Sequence, residues 1–291
     1  MSDLPEKHEL TRKELAEGFR RVGLSAGDGV IVHSSFKSFG GVEGGPATVI
    51  EALKDVLTPD GTLMMPAFNQ LRAFQEGGEG IFDPRTTPAV TGVITDTFWR
   101  MEGVLRSLDP SHSFAAWGKN AKRYLENHHR TLSVGPDSPL ELLGREDGKG
   151  LLLGVGYRAN TYHHVVEIIV GCKCVGERTQ AVPVRLPDGR TVMGRTWTWR
   201  SRNCPIDDGA TRYGPQMKPF QTETMIGQSQ AISFFLSDCF DVVAKNLRNG
   251  LGEFPPCSRC PILPLITKFT VPSDWDDEKK CLKPDSVAWT Y

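Results

Sequence analysis

Residues 30–65 read VIVHSSFKSFGGVEGGPATVIEALKDVLTPDGTLMM. The stretch opens on Val30-Ile-Val32, a β-branched run of the kind that forms a buried strand, and stops at His33-Ser-Ser35. Ala47 to Leu57 carries helical periodicity and runs into Pro59-Asp-Gly61, a turn. Thr62-Leu-Met-Met65 follows as a second strand. A strand, a helix and a strand joined by short links make a βαβ unit, whose strands pair in parallel beneath the helix.

Upstream, Thr11 and Glu14 have the spacing of a capping box before an amphipathic run from Leu15 to Val22. Downstream, residues 89–100 and Ala115 to Asn127 suit helices. Gly150-Leu-Leu-Leu-Gly-Val-Gly156 reads as a central strand, and Thr161 to Val170 as the helix after it. Val182–Arg185 and Thr191–Arg200 flank Asp188-Gly189, which predicts a hairpin. Gln221 to Asn246 reads as a segment containing a long helix, with Gly227 near its start. Pro and Cys dominate from Glu253 onward, so residues 251–291 are expected to form an irregular or edge-strand tail. No linker interrupts residues 1–291. The expectation is one α/β domain with a largely parallel or mixed central sheet flanked by helices, an added hairpin and that tail.

Among the 291 residues, 39% are hydrophobic and 24% charged, with a net charge of −1. That balance supports a sizeable core and gives no electrostatic case for nucleic acid or an anionic membrane. No run has the apolar length of a membrane span, and the polar start lacks the apolar core of a signal peptide. The chain therefore reads as soluble and cytoplasmic. Seven cysteines without an export signal are expected as thiols or metal ligands rather than a disulfide framework.

Three segments carry candidate chemistry. In Asn160-Thr-Tyr-His-His-Val-Val-Glu167, which opens a helix after a buried strand, His164 and Glu167 are three apart and share a face. A carboxylate there can hold one ring nitrogen and leave the other to accept a proton. The helix N-terminus favours the neutral ring, and Glu167 opposes it. His163 could pair with Glu167 at i+4 instead, and a surface or capping pair is the non-catalytic alternative; spacing does not choose. Gly154-Val-Gly156-Tyr-Arg-Ala159 fits a dinucleotide fingerprint, but the bulky Tyr157-Arg158 and the late position of its strand argue against it. His33-Ser-Ser-Phe36 ends the first strand, where ligands of open α/β sheets collect and where hydroxyls and N–H groups can meet a phosphate or a pantetheine amide. Arg106-Ser-Leu-Asp-Pro-Ser-His-Ser113 is a proline-broken loop suited to anion contact or to closing over a ligand.

Seven ordered segments resemble one family: His33-Ser-Ser-Phe, Gly61-Thr-Leu-Met-Met-Pro66-Ala-Phe, Phe82-Asp-Pro84, Arg106-Ser-x-x-Pro-x-His-Ser113, Ser138-Pro-Leu, Leu153-Gly-Val-Gly and Asn160-Thr-x-x-His164-x-x-Glu167. Their order and spacing resemble those of the aminoglycoside N3-acetyltransferases, the antibiotic-resistance N-acetyltransferase family, over about residues 10–250. Ile226-Gly-Gln-Ser-Gln-Ala is similar to that family's C-terminal helix. The resemblance implies an acetyl-CoA-dependent N-acetyltransferase acting on a primary amine, with His164 as general base and Glu167 orienting it. It implies that the segment His33, Ser34, Ser35, Phe36 serves the coenzyme, with Ser34 and Ser35 as its hydroxyls. It also implies that Ser107, His112 and Ser113 help line the coenzyme and acetyl site.

The sequence departs from that pattern in three places. Asp109 stands where the family usually has a histidine. Arg195, Arg200 and Arg202 lie where a polycationic acceptor would want carboxylates, although Asp207 and Asp208 partly restore the sign. Pro256-Cys-Ser-Arg-Cys-Pro261 forms a C-x-x-C half-site, so Cys257, Cys260 and Cys204 are expected as Zn2+ ligands with a His or another Cys as the fourth; free thiols in a tail are the alternative. The second functional expectation is a zinc-containing, acyl-CoA-binding relative with no aminoglycoside activity and a different acceptor.

Overall fold

The computed structural model describes residues 8–172, 182–194 and 213–249, with the backbone alone of 177–178, 197–198, 275–276 and 281–282. Helix α1 (Arg12–Arg21) starts at the expected capping box: Thr11 accepts from the Glu14 N–H, and the Glu14 side chain accepts from the Thr11 N–H. Strand β1 (Gly29–Ser34) leads to α2 (Pro46–Leu57), where Pro46 occupies the first turn and needs no donor. Strand β2 (Thr62–Pro66) closes the unit, pairing parallel to β1 with Val30 opposite Leu63.

The chain continues through α3 (Val93–Phe98), β3 (Leu105–Arg106), β4 (Phe114–Gly118), α4 (Ala121–Leu125), α5 (Pro139–Arg145), β5 (Lys149–Leu153) and α6 (Tyr162–Ile169). The strands β6 (Glu177–Arg178), β7 (Val182–Arg185), β8 (Thr191–Gly194) and β9 (Trp197–Thr198) form two small antiparallel pairs, β6 with β9 and β7 with β8. The second of these is the Asp188-Gly189 hairpin expected from sequence. A single turn, α7 (Gly214–Met217), precedes β10 (Gln221–Ile226), β11 (Ser229–Phe235) and α8 (Leu236–Asn249). Within the tail, β12 (Trp275–Asp276) pairs antiparallel with β13 (Cys281–Leu282).

One seven-stranded sheet runs in the order β10-β11-β5-β1-β2-β4-β3. Only the pairings among its three central strands are parallel; the flanking pairings are antiparallel, so the sheet is mixed. Alternation along the central strands sorts side chains into two cores. Val30, Val32, Leu63, Met65, Leu151 and Leu153 pack with α1, α2 and α3 on one face. Ile31, Met64 and Leu152 pack with α4, α5, α6 and α8 on the other. His33 has the parity of Ile31, which turns its ring toward the α6 face.

Three helix expectations hold only in part. The segment 221–246 contains the expected long helix, but Gly227, at φ +58°, forms the turn of a hairpin rather than the helix start, and β11 pairs antiparallel with β5. The family-like Ile226-Gly-Gln-Ser therefore sits at a hairpin, and the helix begins only at Leu236. Ala115 to Asn127 divides into β4, whose alanines lie flat against β2, and the short α4. Gly118, at φ +100°, ends that strand with its Cα against the Gly61 carbonyl, an approach a side chain would block. Of 89–100, only Val93–Phe98 is helical.

Gly154 carries the chain out of β5 at φ +63°, and an added Cβ there would lie 1.9 Å from Ser38 Oγ and 2.2 Å from Ser38 Cβ. Gly27 also has a positive φ, of +86°, with open space around it. Gly154→Ala should therefore cost more than Gly27→Ala, which carries the positive-φ strain, of order ~1–2 kcal/mol, without the clash. Urea unfolding of both variants checks this; equal midpoints would show that the Ser38 contact is immaterial.

Candidate functional site

The C-terminal ends of the parallel strands β1, β5 and β2 lie along one edge of the sheet, where an open α/β sheet presents its ligand site. The Ser35 N–H donates to the Leu153 carbonyl at 2.8 Å, stitching the end of β1 to the end of β5. Ser34, Ser35 and Phe36 are half-buried at that edge.

Helix α6 starts just beyond β5. Its first turn carries His164, whose side chain is 17% exposed, and Glu167 follows one turn later with no exposure. His164 Nδ1 lies 2.7 Å from Glu167 Oε2. The carboxylate can only accept, so in the neutral ring Nδ1 bears the proton and Nε2 keeps its lone pair. His163, the rival by spacing, is buried and turns to Tyr213, with Nδ1 3.2 Å from the phenol oxygen and its ring edge-on to His164 at 4.1 Å.

The loop before α6 is held rigidly. Asn160 Oδ1 accepts from the Tyr162 N–H at 3.2 Å, and its amide nitrogen donates to the Tyr213 oxygen at 3.3 Å and to Cys239 Sγ at 3.4 Å. Tyr213 itself donates to the Tyr157 carbonyl at 3.2 Å. Burial pushes the Cys239 thiol up to about 12, which keeps it protonated and a packing group. His33 reaches this loop from β1: its Nε2 lies 2.9 Å from Thr161 Oγ1 and accepts the Thr161 N–H at 3.3 Å. The ring is buried, and desolvation pushes it down to about 4.

The Arg106–Ser113 loop joins the site edge through the segment after β2. Ser113 Oγ donates to the Ala67 carbonyl at 2.7 Å and accepts from Arg106 Nε at 3.0 Å. Arg106 also donates to the carbonyls of Ala67 and Thr87 and stacks between Trp99 and Phe82. Its guanidinium is thus engaged by backbone, and burial pushes it down to about 9. His128 Nε2 lies 2.9 Å from the Ser133 carbonyl and so donates; Nδ1, 2.8 Å from Ser107 Oγ, then accepts the serine proton. Ser107 Oγ accepts in turn from the Phe114 N–H at 2.9 Å. Asp109 takes the N–H groups of Ser111 and His112 at 2.8 and 2.7 Å and the Ser133 hydroxyl. It shapes the loop as a backbone acceptor, a role that suits a carboxylate at the position where the sequence departs. His112 packs edge-on against Phe68 at 4.9 Å, and desolvation pushes it down to about 4.

The structure thus gathers His33, Ser34, Ser35, Phe36, His164 and Glu167 at one sheet edge and joins Ser107, His112 and Ser113 to it through the residues following β2. Ser107 and Ser113 use their hydroxyls in internal bonds. Sequence reasoning gave no role to Thr161, Asn160, Tyr213 or His128; Asn160-Thr161 stood inside a quoted motif, whereas His128 meets Ser107 across 21 positions with no local signal. Among the described residues, His163, His164 and Glu167 offer donor atoms within 4.8 Å of one another, but a cation there would have to displace the proton shared by His164 and Glu167. Cys204, Cys257 and Cys260, with Arg195, Arg200, Arg202, Asp207 and Asp208, lie outside the described residues. No helix among the described residues is long and apolar enough to cross a membrane.

A family model described as aminoglycoside 3-N-acetyltransferase matches residues 31–248. An aminoglycoside N(3)-acetyltransferase IV from Salmonella sp. is 38% identical over 165 residues, 56% of this chain and 60% of that relative. The chain thus aligns with less than two thirds of that curated relative's length. The crystal structure of aminoglycoside acetyltransferase AAC(3)-IVa superposes with a TM-score of 0.70 and 32% identity over 89% of this chain and 96% of its own. A mutant of that enzyme has been solved in complex with a gentamicin, with 31% identity to this chain. At 24% identity and a TM-score of 0.73, AAC-IIIb, solved as a binary complex with CoASH, covers 86% of this chain and 100% of its own and shares the fold.

Between pH 6.5 and about 4, His33 and His112 bind fewer protons folded than unfolded. Their contribution to stability is complete above about pH 6.5 and is lost as pH falls toward 4. The urea midpoint should therefore decline between pH 6.5 and 4.5, before the carboxylates titrate. A midpoint that stays flat over that interval would contradict the buried neutral rings.

Proposed function

The chain belongs to the aminoglycoside 3-N-acetyltransferase family, and from that premise we propose that it transfers the acetyl group of acetyl-CoA to a primary amine of a small-molecule acceptor. The observation that carries this reading is the 2.7 Å bond between His164 Nδ1 and the fully buried Glu167. It puts the proton of the neutral ring on Nδ1, so that Nε2 of a partly exposed ring can act as a base in the first turn of a helix at the ligand edge of the sheet.

The attacking amine must be neutral. His164 Nε2 removes a proton as the amine nitrogen attacks the thioester carbonyl, forming the C–N bond. The C–S bond then breaks, and the departing sulfur takes a proton as CoA thiol, so the products are the N-acetyl amide and CoA. Glu167 keeps the ring oriented and offsets the charge it gains. Backbone N–H groups at the strand ends and the first turn of α6 are the donors at hand for the oxyanion. The end of β1, with Ser34 and Ser35, is the proposed coenzyme contact, and the loop bearing His112 forms the adjoining wall.

The acceptor class is an amine, as in the family. The gentamicin complex of a 31%-identical structure supports an aminoglycoside. The three arginines at 195, 200 and 202 support a less cationic amine. Thiol release over a panel of gentamicin, apramycin and simple primary amines separates the two.

His164→Ala should reduce kcat by about 10²–10⁴-fold while leaving calorimetric CoA affinity near wild type. Glu167→Gln keeps the shape but weakens the orienting charge, and should lower kcat by a smaller factor. Turnover of His164→Ala within about tenfold of wild type would remove His164 as the base.

A further inference from the structure

His33 stands in the segment expected to meet the coenzyme, yet its ring is buried and its Nε2 is committed elsewhere. We propose that His33 is a positioning residue of the transfer reaction, anchoring the N-terminus of α6 through Thr161 and thereby setting the place of His164 Nε2 against the coenzyme segment. The proposal rests on the reading of His164 as the base.

Strand parity directs the ring. Val32 and Ser34 face the α1–α3 side, so His33 faces α6 from the end of β1. One nitrogen then serves two Thr161 groups, the hydroxyl at 2.9 Å and the N–H at 3.3 Å. An N–H can only donate, so Nε2 holds a lone pair and Nδ1 carries the proton of a neutral ring. Thr161 is the N-cap of α6, and its own side chain makes no cap bond there. The first donors of a helix need acceptors from outside it, and here β1 supplies one. The anchor is coupled directly to the base: the His164 N–H donates to the Thr161 carbonyl at 3.1 Å. His33 is thus linked through a single residue to the backbone of His164, while its chain neighbours Ser34 and Ser35 begin the coenzyme segment.

The ring carries a cost that packing does not explain. His33 Nδ1 is buried without a hydrogen-bond partner, a desolvation penalty that a phenyl ring of similar size would not carry. Burial holds the imidazole neutral well below pH 7, which suits an acceptor facing the positive end of a helix. The fit is therefore to what Nε2 does at Thr161 rather than to filling the core.

The test compares His33→Phe, which keeps volume and removes the acceptor, with His33→Gln, whose amide oxygen can take the Thr161 donors. Acetyl-CoA turnover is measured on the full chain with gentamicin and the primary-amine panel, and amide hydrogen exchange is followed over residues 157–169. In His33→Phe, kcat should fall about tenfold to a hundredfold with the KM for acetyl-CoA within about threefold. Exchange in the first turn of α6 should quicken while the sheet is unchanged. His33→Gln should recover most of both. Adding His33→Phe to His164→Ala should cause no further loss, because the anchor acts through that ring. Should His33→Phe not fold, Thr161→Val and His33→Gln carry the same kinetic and exchange comparison. The anchor is overturned if kcat stays within about threefold, if Phe and Gln are equally impaired, or if the His164→Ala background shows the same drop. The base reading fails separately, when His164→Ala alone keeps turnover; exchange over α6 then still decides the anchor.

Discussion

A carboxylate with no exposure to water cannot remain charged without a partner, and Glu167 has its partner in His164 Nδ1 at 2.7 Å. The same bond decides three things. It selects which of two adjacent histidines faces the site, since His163 turns to Tyr213. It assigns the proton of the neutral ring to Nδ1, and so exposes a basic Nε2. It also places the ring one helical turn from a buried charge that would stabilise the imidazolium of the proposed proton transfer. Removing either partner would leave the other improperly buried or unoriented.

The rest of the fold serves to hold that turn of helix at the sheet edge. Three parallel strands end together, α6 packs its Val165, Val166 and Ile168 into the core, and the Asn160–Tyr213–Tyr157 bonds fix the loop before it. His33 joins β1 to the N-terminus of α6, so the strand that begins the proposed coenzyme segment and the helix that carries the proposed base are tied by one side chain. On the other side of the edge, buried polar bonds around Arg106, Ser107, Asp109 and His128 fix a loop that has no secondary structure of its own.

Much of this was legible in the residues because its causes are local. The βαβ unit of 30–65, the Thr11–Glu14 capping box and the Asp188-Gly189 hairpin follow from periodicity, capping and turn chemistry. The strand state of residues 221–235 is not visible locally, because it depends on β11 pairing with β5, a partner some 80 positions away. Ala115 and Ala116 have helical propensity, yet antiparallel pairing with β2 and burial in the sheet decide their strand state. The inward turn of the His33 ring follows in principle from period-two alternation, which sets it opposite Ser34, whereas the hydroxyls beside it speak for coenzyme contact by the whole segment. The Ser107–His128 bond was not available, because nothing local relates the two residues.

That Glu167 holds the His164 proton on Nδ1 can be read from long-range proton–nitrogen correlation spectra of the imidazoles in the full chain, with His164 assigned by its loss in His164→Ala. The neutral ring should carry its proton on Nδ1 with Nε2 unprotonated, and should revert to a mixed tautomer in Glu167→Gln. A His164 ring protonated on Nε2 and bare at Nδ1 would contradict it.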